Sequence, residues 1–170
     1  MSGTEWSAVV TTADAEATRA VAADLAALAL PGDMVLLVGG LGAGKTTFAQ
    51  GFARGLGIEG PVTSPTFTLV RQYPCRGVVN HLVHADVYRL DSLGQVADLA
   101  LPELVDGAVA LVEWGDAAAP VLGDDTLTVA LEPGAEPDHR TLVLVGRGED
   151  WAARREAVVA VLAGWGGGPR

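Results

Sequence analysis

Thiols are almost absent: the 170 residues contain one cysteine, Cys75, and three histidines. A lone cysteine forms no internal disulfide, and this set does not supply a four-ligand structural zinc site. Both readings fit a reducing compartment, and a cytoplasmic protein is expected. Long apolar runs are missing too. The most apolar helix candidate, residues 21–30, is short and carries Asp24, and no basic segment followed by an apolar stretch opens the chain. Neither secretion nor a membrane span is indicated. Basic charge is scarce: 11 Lys and Arg stand against 21 Asp and Glu, a formal net charge of −10. Proteins that bind nucleic acid unaided draw most of their affinity from cations that neutralise phosphates, which argues against that class. With 49% hydrophobic and 19% charged residues, a chain of this length buries one core. A single domain over residues 1–163 and a flexible tail over 164–170 are expected.

Lysine is the scarcest cation. Ten of the 11 basic residues are arginines, and the one lysine is Lys45. It lies in Gly39-Gly40-Leu41-Gly42-Ala43-Gly44-Lys45-Thr46, which satisfies G-x-x-x-x-G-K-[ST]. The spacing has a physical reason. Glycines let the backbone curl so that successive N–H groups point at a polyphosphate, and the helix that follows adds its positive end. Lys45 is then expected to reach the β and γ phosphates and Thr46 to offer its hydroxyl to Mg2+. The N–H groups of Thr46 and Thr47 are expected near the α and β phosphates.

The surroundings agree with that motif. Residues 34–38 form a continuous apolar run of strand length, the loop breaks it, and Phe48, Phe52 and Leu56 then recur at helical spacing before Gly57. Upstream, Thr12 reads as the cap of a helix carrying Ala17, Val21, Leu25 and Leu28, which Pro31-Gly32 ends. Downstream, residues 67–73 and 78–86 read as an antiparallel hairpin turning at Pro74-Cys75-Arg76-Gly77. Residues 92–104 read as an irregular helical region interrupted by Pro102, and 108–112 as another buried strand. Two further strands are expected over 125–131 and 140–145, and a closing helix over 151–162. The expected fold is α/β: a three-layer P-loop NTPase with a mixed, partly antiparallel central sheet.

Such a loop needs an acidic group at the end of a neighbouring strand to hold a metal or its waters. Asp86 and Glu113 both stand at such ends. Guanine readers of this class use an Asn-Lys-x-Asp motif, and there is no second lysine to build it, so ATP is favoured over GTP. Scattered arginines fit a small-molecule kinase less well. That class and a nucleotide-binding interaction module remain the alternatives to an ATPase. His81 and His84 read equally as one surface and one packed residue or as catalytic groups. Trp6, Trp151 and Trp165 read as packing or tail residues.

Four segments, Leu41-Gly42-Ala43-Gly44-Lys45-Thr46-Thr47-Phe48, Thr63-Ser64-Pro65-Thr66-Phe67-Thr68-Leu69-Val70, His84-Ala85-Asp86-Val87-Tyr88-Arg89-Leu90 and Val112-Glu113-Trp114, resemble in order and spacing the signatures of TsaE. TsaE is the bacterial P-loop ATPase family of tRNA threonylcarbamoyladenosine biosynthesis. The resemblance implies a Mg2+-dependent ATPase, slow alone, whose nucleotide cycle drives or resets a complex of the partner proteins TsaB and TsaD; tRNA is reached only through those partners. It also implies that Thr46 and Glu113 serve the metal, that Lys45, Asp86 and Glu113 serve catalysis, and that Leu41 to Thr47 hold the nucleotide. Thr12 and its neighbours are placed by the adenine. Ser64, Pro65, Thr66 and Phe67 are placed in a nucleotide-responsive switch. Tyr88 and Arg89 read as contacts to a partner or the γ phosphate, Arg89 equally as a helix-entry salt bridge, and Trp114 as switch or partner-facing. Two departures stand out: Gly40, where the family often has an acidic residue, and Gly115, where proline or alanine is common.

Overall fold

Trp6, Ala8, Val10 and Thr12 alternate with more exposed residues, the period of a half-buried strand. In the computed structural model, which describes residues 4–65 and 69–170, this stretch is strand β1 (Trp6–Thr12). Thr12 therefore ends a strand and does not cap a helix. The cap is Asp14, whose carboxylate accepts from the Ala17 N–H at 2.8 Å, and helix α1 runs over Ala15–Ala26.

The apolar run becomes β2 (Met34–Val38), and the glycine loop delivers the chain into α2 (Lys45–Gly55). Gly51 fixes how closely α2 lies against α1: a Cβ there would sit 2.2 Å from the Arg19 carbonyl oxygen. Strands β3 (Val70–Pro74) and β4 (His81–Asp86) pair antiparallel as expected, and their connection spans residues 75–80. Cys75 lies in that connection, half-buried, its thiol donating to the Val79 carbonyl and pushed up by burial.

The irregular helical region resolves into α3 (Leu93–Asp98) and α4 (Leu101–Leu104), separated by Ala100 in the left-handed region; Pro102 stands in the first turn of α4, where its missing N–H costs nothing. Strand β5 (Val109–Glu113) follows, then α5 (Gly115–Ala118) and one 3-10 turn (Ala119–Val121). Strands β6 (Thr126–Pro133) and β7 (Arg140–Arg147) are longer than expected. The expected closing helix is two helices, α6 (Glu149–Ala153) and α7 (Arg155–Ala163), broken at Arg154. Arg154 stacks over the Trp151 ring and its guanidinium reaches both carboxylate oxygens of Asp33 at 2.7 Å. The end of the chain, expected to fray, instead forms β8 (Gly168–Pro169) along β1, and the Arg170 N–H donates to the Ser7 carbonyl.

The eight strands form one sheet in the order β3-β4-β5-β2-β6-β7-β1-β8. The central strands β4, β5, β2 and β6 run parallel, and both flanks are antiparallel, not the hairpin side alone. Helices cover both faces of the parallel part. Val35, Leu37 and Leu111 pack with Phe48 and Phe52 of α2 and with Val21 and Leu25 of α1. Leu36, Val83, Ala110 and Val112 pack on the other side with Val96, Leu101 and Ala118. This is the three-layer P-loop NTPase fold with a mixed sheet. Because β2, β4 and β5 are adjacent and parallel, their carboxyl ends open on one edge, where such sheets place ligands. Among the described residues, no helix is long and apolar enough to cross a membrane.

Candidate functional site

Three strand ends supply the site. After β2, the loop turns through Gly42 (φ 75°) and Gly44 (φ 107°), a region that glycine enters without strain. Gly39 has a second constraint, since a Cβ would lie 2.7 Å from the Leu131 carbonyl oxygen. Gly44 stands at the N-cap of α2 and makes no side-chain cap hydrogen bond to the first N–H groups of that helix. At Gly40 an added Cβ meets nothing, and the departure there is sterically neutral. Gly115 differs: a Cβ would lie 2.7 Å from the Leu36 Cβ, so its absence lets α5 approach β2.

Lys45 folds back over the loop. Its Nζ donates to the Gly39 and Gly40 carbonyls at 2.7 and 2.8 Å and sits 4.0 Å from the centre of the Trp114 ring. Burial lowers its pKa from the ordinary lysine value, with Glu113, Asp86 and Asp116 pulling the other way. The Thr46 hydroxyl donates to Glu113 Oε1 at 3.0 Å. Asp86, at the end of β4 and opposite Glu113 in the register, accepts from the Ser64 hydroxyl at 3.1 Å and from the Tyr88 N–H at 2.9 Å. Tyr88 and Trp114 pack with ring centres 4.7 Å apart and planes tilted by 36°, and Trp114 holds φ 63°, a costly conformation for a bulky residue.

Residues Leu41, Gly42, Ala43, Gly44, Lys45, Thr46 and Thr47 floor a cavity of about 450 Å³ whose walls are Ser64, Asp86, Tyr88, Arg89, Glu113 and Trp114. Thr12 is not brought there. Its side chain is buried and its hydroxyl meets that of Thr18 at 2.7 Å. Pro65 is buried and its carbonyl accepts from the Leu69 N–H. Thr66 and Phe67 lie outside the described residues.

The donor set suits Mg2+ bound together with phosphates. No group of three or more His, Cys, Asp or Glu side chains among the described residues could cage a metal alone. A hydroxyl beside a carboxylate, open to a cavity with a lysine, matches the one or two protein oxygens that Mg2+ takes when phosphates and water supply the rest.

Two contacts escaped the sequence reading. Arg140, the first residue of β7, donates from Nε to the Ala43 carbonyl at 3.0 Å and from Nη2 to the Gly42 carbonyl at 3.2 Å, bracing the loop from outside. His84, within β4, meets Glu113. The alternation of a strand places His84 on the face of Asp86, a signal that was available; nothing local to Arg140 points 97 residues back to the loop.

The family model for threonylcarbamoyl adenosine biosynthesis protein TsaE matches residues 12–142. A Streptomyces coelicolor protein named tRNA threonylcarbamoyladenosine biosynthesis protein TsaE is 43% identical over 144 residues, covering 82% of this chain and 95% of the relative. A Bacillus subtilis protein of the same name is 42% identical over 137 residues, covering 79% and 84%. The crystal structure of Bacillus subtilis YdiB superposes with a TM-score of 0.75 at 35% identity, covering 91% of this chain and 95% of that one. With the loop, the two acidic strand ends and the sheet order in place, these similarities settle the family: the chain belongs to the TsaE family.

Proposed function

We propose that this protein binds ATP with Mg2+ and hydrolyses it as a component of tRNA threonylcarbamoyladenosine biosynthesis, the process in the names of its relatives. The observation that carries the ATPase part is the meeting of Lys45 and Thr46, at the start of α2, with Glu113, at the end of β5, over one cavity beside two adjacent parallel strands. Lys45 binds the terminal phosphates, exchanging the Gly39 and Gly40 carbonyls for phosphate oxygens. The loop N–H groups and the start of α2 orient the polyphosphate. Bound Mg2+ would neutralise charge on the phosphates, with Thr46 and Glu113 as the residues that hold it. Asp86 orients water at the same edge and, through Ser64, ties the site to the switch segment. The lack of a second lysine supports ATP over GTP.

The nucleotide cycle acts on a TsaB–TsaD complex in the cytoplasm, and hydrolysis by the chain alone is slow. A net charge of −10 gives little footing on RNA, so tRNA dependence enters through the partners. The test is the rate of ATP hydrolysis across a titration with purified TsaB and TsaD. A rising rate that saturates is expected, and a flat profile would contradict the partner role.

A further inference from the structure

His84 is fully buried and is not among the residues lining the nucleotide cavity. Its Nε2 lies 2.6 Å from Glu113 Oε2, while its Nδ1 is buried with no hydrogen-bond partner among the described residues. Three proton arrangements could make that contact. An imidazolium, or a bare Nε2 accepting from a protonated Glu113, would each leave an Nδ1–H donor buried with nothing to bond. A neutral ring with its proton on Nε2 leaves only an acceptor lone pair, and orphaned acceptors are tolerated better than orphaned N–H groups. The geometry therefore favours an Nε2–H donating to the Glu113 carboxylate.

The contact decides which way Glu113 faces. One carboxylate oxygen is held from within the fold by His84, and the other accepts from the Thr46 hydroxyl at the mouth of the loop. Both partners are fixed in turn: His84 lies mid-strand, opposite Leu111 in the parallel β4–β5 ladder, and Thr46 lies in the first turn of α2. A carboxylate bonded on both oxygens is restrained in the plane that His84 and Thr46 set.

We propose that His84 is a positioning residue for ATP hydrolysis, which through its Nε2–H holds Glu113 in the orientation that addresses Thr46 and the metal. The inference rests on the ATPase reading above. Supporting groups of this kind are worth about 10–100-fold in metal affinity or activity.

The test compares His84→Leu with His84→Gln, whose amide can place a donor near the position of Nε2. His84→Leu should lower kcat by about 10–100-fold with KM for ATP changed less than about threefold, and His84→Gln should recover most of the rate. A Leu variant with normal kcat, or a Gln variant as slow as the Leu variant while both melt like the unaltered protein, would overturn the proposal. A readout independent of activity covers the case of a Leu variant that does not fold. Long-range 1H–15N spectra of the histidine-labelled, nucleotide-free protein should show the His84 proton on Nε2, with its signals shifted in Glu113→Gln. A proton on Nδ1 in a protein that hydrolyses ATP would overturn the positioning role alone, whereas absence of hydrolysis in the unaltered protein would overturn the ATPase reading and the role together.

Discussion

Thr46 and Glu113, 67 residues apart in the chain, are joined by a 3.0 Å hydrogen bond from the threonine hydroxyl to Glu113 Oε1. The first turn of α2 and the end of β5 thus share the face where a metal would sit. Replacing the hydroxyl by a methyl group in Thr46→Val keeps the shape and removes one proposed metal ligand. Calorimetric titration should show ATP affinity losing most of its dependence on Mg2+, with affinity in EDTA close to that of the unaltered protein. A Mg2+ effect of unchanged size would remove Thr46 from the metal site.

Lys45 is held by two loop carbonyls and an aromatic face, and its charge is buried at a cost. Lys45→Met should lose about 3 kcal/mol of transition-state stabilisation, roughly a 100-fold fall in kcat/KM for ATP. The same variant reports on the pKa. With the folded value below the ordinary 10.5, the unfolded chain holds the proton more tightly than the native one between the two values. The cost of burying the charge is full below the folded value and is relieved as pH rises towards 10.5. Denaturant melts across that window should show the unaltered protein gaining on Lys45→Met with rising pH, and a constant difference would contradict the depressed pKa.

Far from the site, Arg154 and Asp33 form a two-pronged ion pair at 2.7 Å, with Asp33 6% exposed and the Arg154 side chain 13% exposed. Asp33 also accepts from the Leu30 N–H, so it ties the turn before β2 to the end of α6. Removing one partner strands the other with little water. Asp33→Ala and Arg154→Ala should each destabilise the fold by about 3 kcal/mol, and the double variant by much less than the sum. Additive losses in a denaturant double-mutant cycle would show that the pair is not coupled.

What could be read in advance follows the range of the forces involved. The loop, β2, α2 and the two acidic strand ends carry local patterns: an apolar run, punctuating glycines, a period near four, a carboxylate after a hydrophobic strand. β1, Trp6-Ser7-Ala8-Val9-Val10-Thr11-Thr12, alternates too mildly in polarity to stand out, and pairing along β7 makes it a strand. The break of the last helix falls at Arg154, whose ion pair reaches Asp33, 121 residues away, a contact that no window of local sequence contains. The end of the chain carries glycines and looks frayed, yet a Cβ at Gly167 would lie 2.5 Å from the Val9 carbonyl oxygen, so the glycine there serves a close approach to β1. In the site, Lys45, Thr46, Asp86 and Glu113 were named from the motif, whereas His84 and Arg140 depend on which strands become neighbours. Thr12, which the resemblance puts beside the adenine, has its hydroxyl against that of Thr18 and is not among the residues lining the cavity.

Glu113 is proposed to serve hydrolysis at a site that binds nucleotide without it. The measurement is single-turnover hydrolysis of Mg2+-ATP by the unaltered protein and by Glu113→Gln, with and without TsaB and TsaD, beside ATP affinity for both proteins. The predicted result is affinity equal to within about threefold and hydrolysis at least about tenfold slower in the variant. Equal rates in the two proteins, or ATP left intact by the unaltered protein even with both partners present, would contradict it.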